Sequence, residues 1–212
     1  MTMSLAYNRI AGQSAERLAA LSDGLFGVAM TLLLLDLRVP TDVHTEADLR
    51  AELFKLLPGV GVYLMSFITL GIFWVGQQTQ LNHLKKSDRH LTWLHLGFLF
   101  FVTLLPFSTR LLTQYILLRT AMLTYYGNIL LLGVMLYACW GRATRAQLVN
   151  DEMSDELKSA VCRRIIIAQS LYAGGALLCF ISTYLSIAAI LLLQLNYAFA
   201  PGTWRRAAVK PS

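Results

Sequence analysis

Charge is scarce in this chain. Only 14% of its 212 positions are Asp, Glu, Lys or Arg, where a soluble domain carries about 25%. With 56% hydrophobic residues and a mean hydropathy of +0.55, that shortage excludes a soluble globular protein and predicts an all-α membrane protein. Cysteine is nearly absent. Cys139, Cys162 and Cys179 form no CxxC or other ligand spacing, so no disulfide framework is expected and their role is apolar packing. There is no GxSxG, HExxH, Walker A or dinucleotide glycine motif, which leaves enzyme chemistry and its cofactors without a basis. The absence of a TVGYG-type loop excludes a carbonyl-ring potassium filter. The absence of regularly spaced arginines excludes a voltage sensor. His83 and His90 lack carboxylate or thiol partners at ligand spacing, so no metal is expected. No small-residue cleavage site follows the first apolar run, so no cleavable signal is expected.

What the chain does have is long apolar runs. Six are legible, at 17–38, 56–80, 91–112, 120–140, 163–183 and 185–200. A helix needs about 20 residues to cross a bilayer core. The last two runs are short and are joined without a Gly or Pro turn. The segments between the runs are too short for a soluble domain, so residues 1–212 read as one membrane domain. Placing both termini in the cytoplasm puts 13 of the 18 lysines and arginines inside, as the positive-inside rule asks. The four tryptophans then fall towards the cytoplasmic helix ends, where indoles suit the interface. The net charge of +6 is explained by basic loops against anionic lipid and needs no nucleic acid.

The first run holds the most chemistry. Positions 17, 21, 24, 28, 31/32 and 35 recur at helical spacing and predict one face of Arg17, Leu21, Gly24, Val28, Thr31, Leu32 and Leu35. Asp23 lies about 100° away, beside Gly27 and Met30. The glycines permit close approach of another helix. An ionisable residue inside an apolar span points to function by default. Arg17, six residues earlier, offers Asp23 a partner, and breaking such a pair would leave a costly uncompensated charge. His95, inside the third run, reads either as a hydrogen-bonded packing residue or as a proton carrier.

Elsewhere the cues are local. Ser14 and Ser154 mark helix starts. Residues 41–55 read as a short amphipathic helix made acidic by Asp42, Glu46, Asp48 and Glu52. That acidity suits a solvated face or a vestibule that concentrates cations. Pro106 should kink or end the third helix, and Asn128 should bond between helices. The Gly174–Gly175 pair suits close packing.

Arg17-x-x-x-Leu21-Ser22-Asp23-Gly24 resembles the Arg-x-x-x-Phe-Ser-Asp-Gly signature of the transmembrane protein 175 family of potassium channels. A second likeness covers Trp74, Asp88-x-x-Leu91-x-Trp93-Leu94 and Leu105-Pro106-Phe107-x-Thr109, and Tyr125/Tyr126 to Trp140 is similar to the family's fourth span. The chain departs at Leu21, at Gln77–Gln78 (commonly a His pair) and at His95 (commonly Asn). The resemblance implies a six-helix subunit, four of which surround a pore lined by the first helix. It implies a constriction at Val28, a selectivity role for Thr31, and further apolar rings at Leu32 and Leu35. It implies a packing network of Arg17, Ser22, Asp23 and Gly24 that reaches Trp93 and His95. The expectation is a homotetrameric, potassium-preferring cation channel of the cell membrane. The competing reading is a proton-coupled or proton-conducting transporter using Asp23 and His95. A transporter would be expected to carry an internal repeat and discontinuous helices, and neither is visible.

Overall fold

The computed structural model describes residues 14–199 apart from positions 36 and 42. Asp42, one of the four acidic residues of the 41–55 segment, lies outside the described residues. Among these residues six α-helices follow one another: α1 Ala15–Leu34, α2 Glu46–Leu81, α3 Arg89–Gln114, α4 Arg119–Arg145, α5 Asp155–Leu177 and α6 Thr183–Phe199. Among the described residues there is no strand, only an isolated bridge of Leu84 with Val149 between two loops.

The capping residues stand where helix starts need them. Ser14 Oγ accepts from the Arg17 amide and Ser154 Oγ from the Leu157 amide, satisfying amides that the first turn leaves without helical partners. Thr45 and Asp48 form a reciprocal capping box at the start of α2. The segment expected as a separate amphipathic helix is therefore the first part of α2, one uninterrupted helix of 36 residues with Pro58 inside it. Pro106 also lies inside its helix. Each proline removes one backbone bond without ending the helix. In the turn before Pro106, Asn128 of α4 reaches α3. Its amide is oriented to donate to the Phe101 carbonyl (3.2 Å) and accept from the Leu105 amide (3.1 Å).

Among the described residues five helical stretches are long and apolar enough to cross a membrane: α1 to α4, and Asp155–Phe180, in which a 3₁₀ turn extends α5. The sixth helix has 17 residues, about 26 Å at the α-helical rise, against an apolar thickness of about 30 Å. The third and fourth helices form the most extensive pairing. At one edge α1 lies against α2 and α3; at the other α6 lies between α5 and α2. Tyr125, Tyr126 and Trp140 of α4 are fully buried in the core. Gly175 is the close-packed member of its pair, with the Tyr126 hydroxyl where a side chain would stand, whereas Gly174 faces open space.

Polar side chains fasten the far edge. Tyr125 OH lies 3.1 Å from both Ser66 Oγ and Thr69 Oγ1, and Gln194 of α6 donates to Thr69 Oγ1 over 2.6 Å. Ser186 Oγ donates to the Gly175 carbonyl at 2.8 Å and accepts from Cys179 at 3.0 Å. All three cysteines are free thiols.

Candidate functional site

Two faces of α1 divide its work. Leu18, Ser22, Phe26, Ala29 and Leu33 are buried, and their spacing of four, four, three and four makes them one stripe against α2 and α3. Leu21, Gly24, Val28, Thr31, Leu32 and Leu35 are exposed. Among the described residues nothing covers this apolar face: Val28 is 53% exposed and Leu35 72%. A Cβ added at Gly24 or Gly27 would meet nothing within 4 Å. Thr31 Oγ1 donates to the Val28 carbonyl at 2.8 Å, which commits its proton to the helix and leaves the oxygen lone pairs as the only polar feature between Val28 and Leu35.

A hydrogen-bond cluster lies behind that face. Ser22 Oγ is 2.7 Å from His95 Nε2, and Gln77 Nε2 is 2.6 Å from Ser22 Oγ and 3.0 Å from His95 Nε2. All three side chains are buried. Ser22 Oγ also lies 2.7 Å from the Leu18 carbonyl, which can only accept. The serine has one proton for the Leu18 carbonyl and the imidazole, so the direction of the bonds at His95 Nε2 follows the imidazole tautomer. Gln77 Oε1 is buried without a partner among the described residues.

Asp23, the next residue, takes a second pair of bonds from α2. Trp74 Nε1 donates to its Oδ1 at 2.8 Å and Gln78 Nε2 to the same oxygen at 2.6 Å. Trp74, Gln77 and Gln78 stand at i, i+3 and i+4, hence on one face of α2. That face holds α1 at two consecutive residues.

The expected network is therefore corrected in three places. Arg17 does not pair with Asp23, and its side chain has no hydrogen bond or ion pair among the described residues. Six residues turn a helix by about 600°, which sends the two side chains to different faces. Trp93 does not join the cluster either, being 64% exposed. It stands two residues from His95, about 200° round α3. Gly24 lies on the open face and makes no packing contact there. Of the anticipated residues, the structure brings together Ser22 and His95 in one cluster, with Asp23 beside it. Trp74, Gln77 and Gln78 were not anticipated as site residues. Their signal was available as three hydrogen-bonding residues at i, i+3, i+4 near the end of an apolar run.

At the same end of the bundle Asp88 caps α3, accepting from the Leu91 amide at 2.7 Å, and pairs with Arg142 of α4. Partial burial would raise the Asp88 pKa, but the Arg142 guanidinium and the Leu91 amide outweigh it and hold the carboxyl below its usual value of 3.8. Among the described residues no group of three His, Cys, Asp or Glu side chains could hold a metal.

Comparison with known proteins matches residues 17–106 to the family described as endosomal/lysosomal potassium channel TMEM175. A potassium channel of Streptomyces collinus is 31% identical, over 86% of this chain and 91% of its own length. A potassium channel of Chamaesiphon minutus is 28% identical, over 86% of this chain and 92% of its own. The crystal structure of a lysosomal potassium-selective channel TMEM175 homolog from Chamaesiphon minutus superposes with a TM-score of 0.78 at 27% identity, over 88% of this chain and 97% of that one. The endosomal/lysosomal proton channel TMEM175 of Rattus norvegicus is 25% identical over 82% of this chain but only 35% of its own length. The motif on α1, the identity along almost the whole of a bacterial potassium channel and the shared six-helix fold agree, and this chain belongs to the TMEM175 family.

Proposed function

We propose that this protein is a potassium-preferring cation channel in which four subunits surround a pore lined by α1. The single observation that carries the reading is the uncovered face of α1, apolar at Val28, Leu32 and Leu35 with one hydroxyl, Thr31, among them. One helix cannot enclose a pore, so several copies must share an axis, and the likeness to bacterial potassium channels supports conduction of that ion. Rings of Val28, Leu32 and Leu35 would form a neck that resists wetting, and four Thr31 oxygens would replace part of the ion's hydration. Six helices with both termini in the cytoplasm form one domain of the cell membrane in this reading. The cluster of Ser22, Asp23, His95 and α2 fixes the rotation of α1 about its own axis, with Arg17 left for a neighbouring subunit or the lipid surface.

The test is ion flux through purified protein in liposomes. Potassium efflux that exceeds sodium efflux under matched gradients supports the reading. A second reading, proton conduction, is favoured by the buried His95 cluster beside Asp23 and by the name of the animal relatives. Dissipation of a pH gradient without potassium flux would favour it instead.

A further inference from the structure

Next to the Ser22–His95 cluster is a small cavity of about 10 Å³, lined by Gln77 and Gln80 of α2, His95 of α3 and Cys139, Trp140 and Ala143 of α4, among others. Gln77 and His95 are only 2% and 3% exposed, so bulk solvent scarcely reaches them. The hydrogen-bonding capacity around this cavity exceeds the partners that the chain supplies. Gln77 Nε2 serves Ser22 and His95, and its Oε1 is buried with no partner among the described residues. Turning the amide over would only exchange the two atoms: one would face Ser22 and His95, and the other would still be left over. Buried polar groups are nearly always satisfied, because leaving one without a hydrogen bond forfeits its hydration for nothing in return. The Gln80 amide makes one bond among the described residues, from Nε2 to the Leu136 carbonyl at 3.2 Å, which leaves a second N–H and the carbonyl oxygen. The described hydrogen bonds of His95 all fall on Nε2, so Nδ1 remains.

We propose that this cavity binds one water molecule as a fixed part of the structure, held by the Gln77 amide, with Gln80 and His95 supplying its further partners. A water needs about 10–15 Å³ of room and about two to four polar partners to stay in a protein interior, and both are present. A wholly apolar cavity of this size would stay dry; the unpartnered glutamine atom is what favours water here. Seated there, the water extends the hydrogen bonds of Ser22, His95 and Gln77 towards the Gln80–Leu136 bond. The mooring of α1 then reaches α4 as well as α2 and α3. The inference is independent of whether the protein conducts.

Brief synchrotron X-ray irradiation of the purified protein, read by mass spectrometry, tests it. Radicals formed from a bound water oxidise the side chains that it touches before they can diffuse away. Cys139 and Trp140 line the cavity and are buried, and Cys179, the buried thiol of the 3₁₀ turn after α5, is the reference. Cys139 should be oxidised severalfold faster than Cys179, with Trp140 oxidised alongside it, and a bulky radical scavenger in the bulk solvent should not suppress either. In Gln77→Met, which keeps the length of the side chain and removes its amide, oxidation of Cys139 and Trp140 should fall severalfold. Ala143→Val, which fills the cavity and keeps Gln77, should have the same effect and provides the check if the first variant does not fold. Oxidation of Cys139 no faster than that of Cys179 in the unaltered protein overturns the proposal, as does undiminished oxidation in either folded variant. Suppression by the scavenger would mean that bulk water enters by opening of the bundle, and overturns it as well.

Discussion

Asp23 sits near the start of an apolar helix and is satisfied by two neutral donors, Trp74 and Gln78, on one oxygen. Hydrogen bonds to a charged acceptor are stronger than neutral ones, so the carboxylate ties α1 to α2 without a cation. Asp23→Asn should lower stability by about 1 kcal/mol, read as a lower melting temperature in detergent. Combined with Trp74→Phe, the losses should fall short of the sum of the two singles, because both remove the same bond; strictly additive losses would mean that the bond contributes nothing. Gln147 is a different kind of residue. Its φ of 54° is left-handed, and it follows the α4 cap at Ala146, where the Leu148 amide reaches back 2.9 Å to the Ala143 carbonyl. Glycine adopts that conformation without a Cβ penalty. Gln147→Gly should therefore stabilise the protein by roughly 0.5–1 kcal/mol, and a lowered melting temperature would count against that account.

At the scale of the element, α1 is a helix whose two faces have opposite fates. The buried stripe is pinned by Ser22 and Phe26, and the open stripe holds the neck proposed for conduction. Val28 is smaller than leucine, so in the proposed tetramer a ring of four would leave a wider opening there, and Leu32 and Leu35 would carry more of the seal. Val28→Ala should raise conductance modestly and Leu35→Ala should raise leak more, since an apolar barrier depends on both radius and dry length. Thr31→Val should leave conduction intact and lower the preference for potassium over sodium. Reversal potentials under mixed potassium and sodium decide the matter: silent substitutions at all these positions would mean that α1 does not line the path. The second element of consequence is α2. Its capping box, 36-residue length and Trp74–Gln77–Gln78 face make it the rod against which α1 is oriented.

For the whole molecule, assembly is the first expectation. Chemical cross-linking in membranes should give a ladder that ends at four copies; one that stops at two would sink the tetramer. The second concerns acid. The Asp88 carboxyl titrates below its usual 3.8 in the folded protein, so its pair with Arg142 stabilises the fold at pH values above the ordinary aspartate range and is lost as pH falls through the lowered value. Arg142→Gln should therefore melt earlier than the unaltered protein at pH 7, with the gap beginning to narrow as pH falls below about 4. A gap that does not narrow at all between pH 7 and pH 3 would assign the loss to packing alone. The sequence by itself determined the membrane class, helix starts at Ser14 and Ser154, and the shared face of Val28, Thr31, Leu32 and Leu35. Each follows from composition or from the period of a single helix about its own axis. Only the tertiary structure decided that α2 runs unbroken through Pro58, that Asp23 bonds Trp74 and Gln78 and leaves Arg17 aside, and that His95 meets a serine 73 positions away. Those outcomes depend on the rotation and height of one helix against another, which are set by the packing of Phe26, Phe73 and Phe98 between them and which no helix's own periodicity contains.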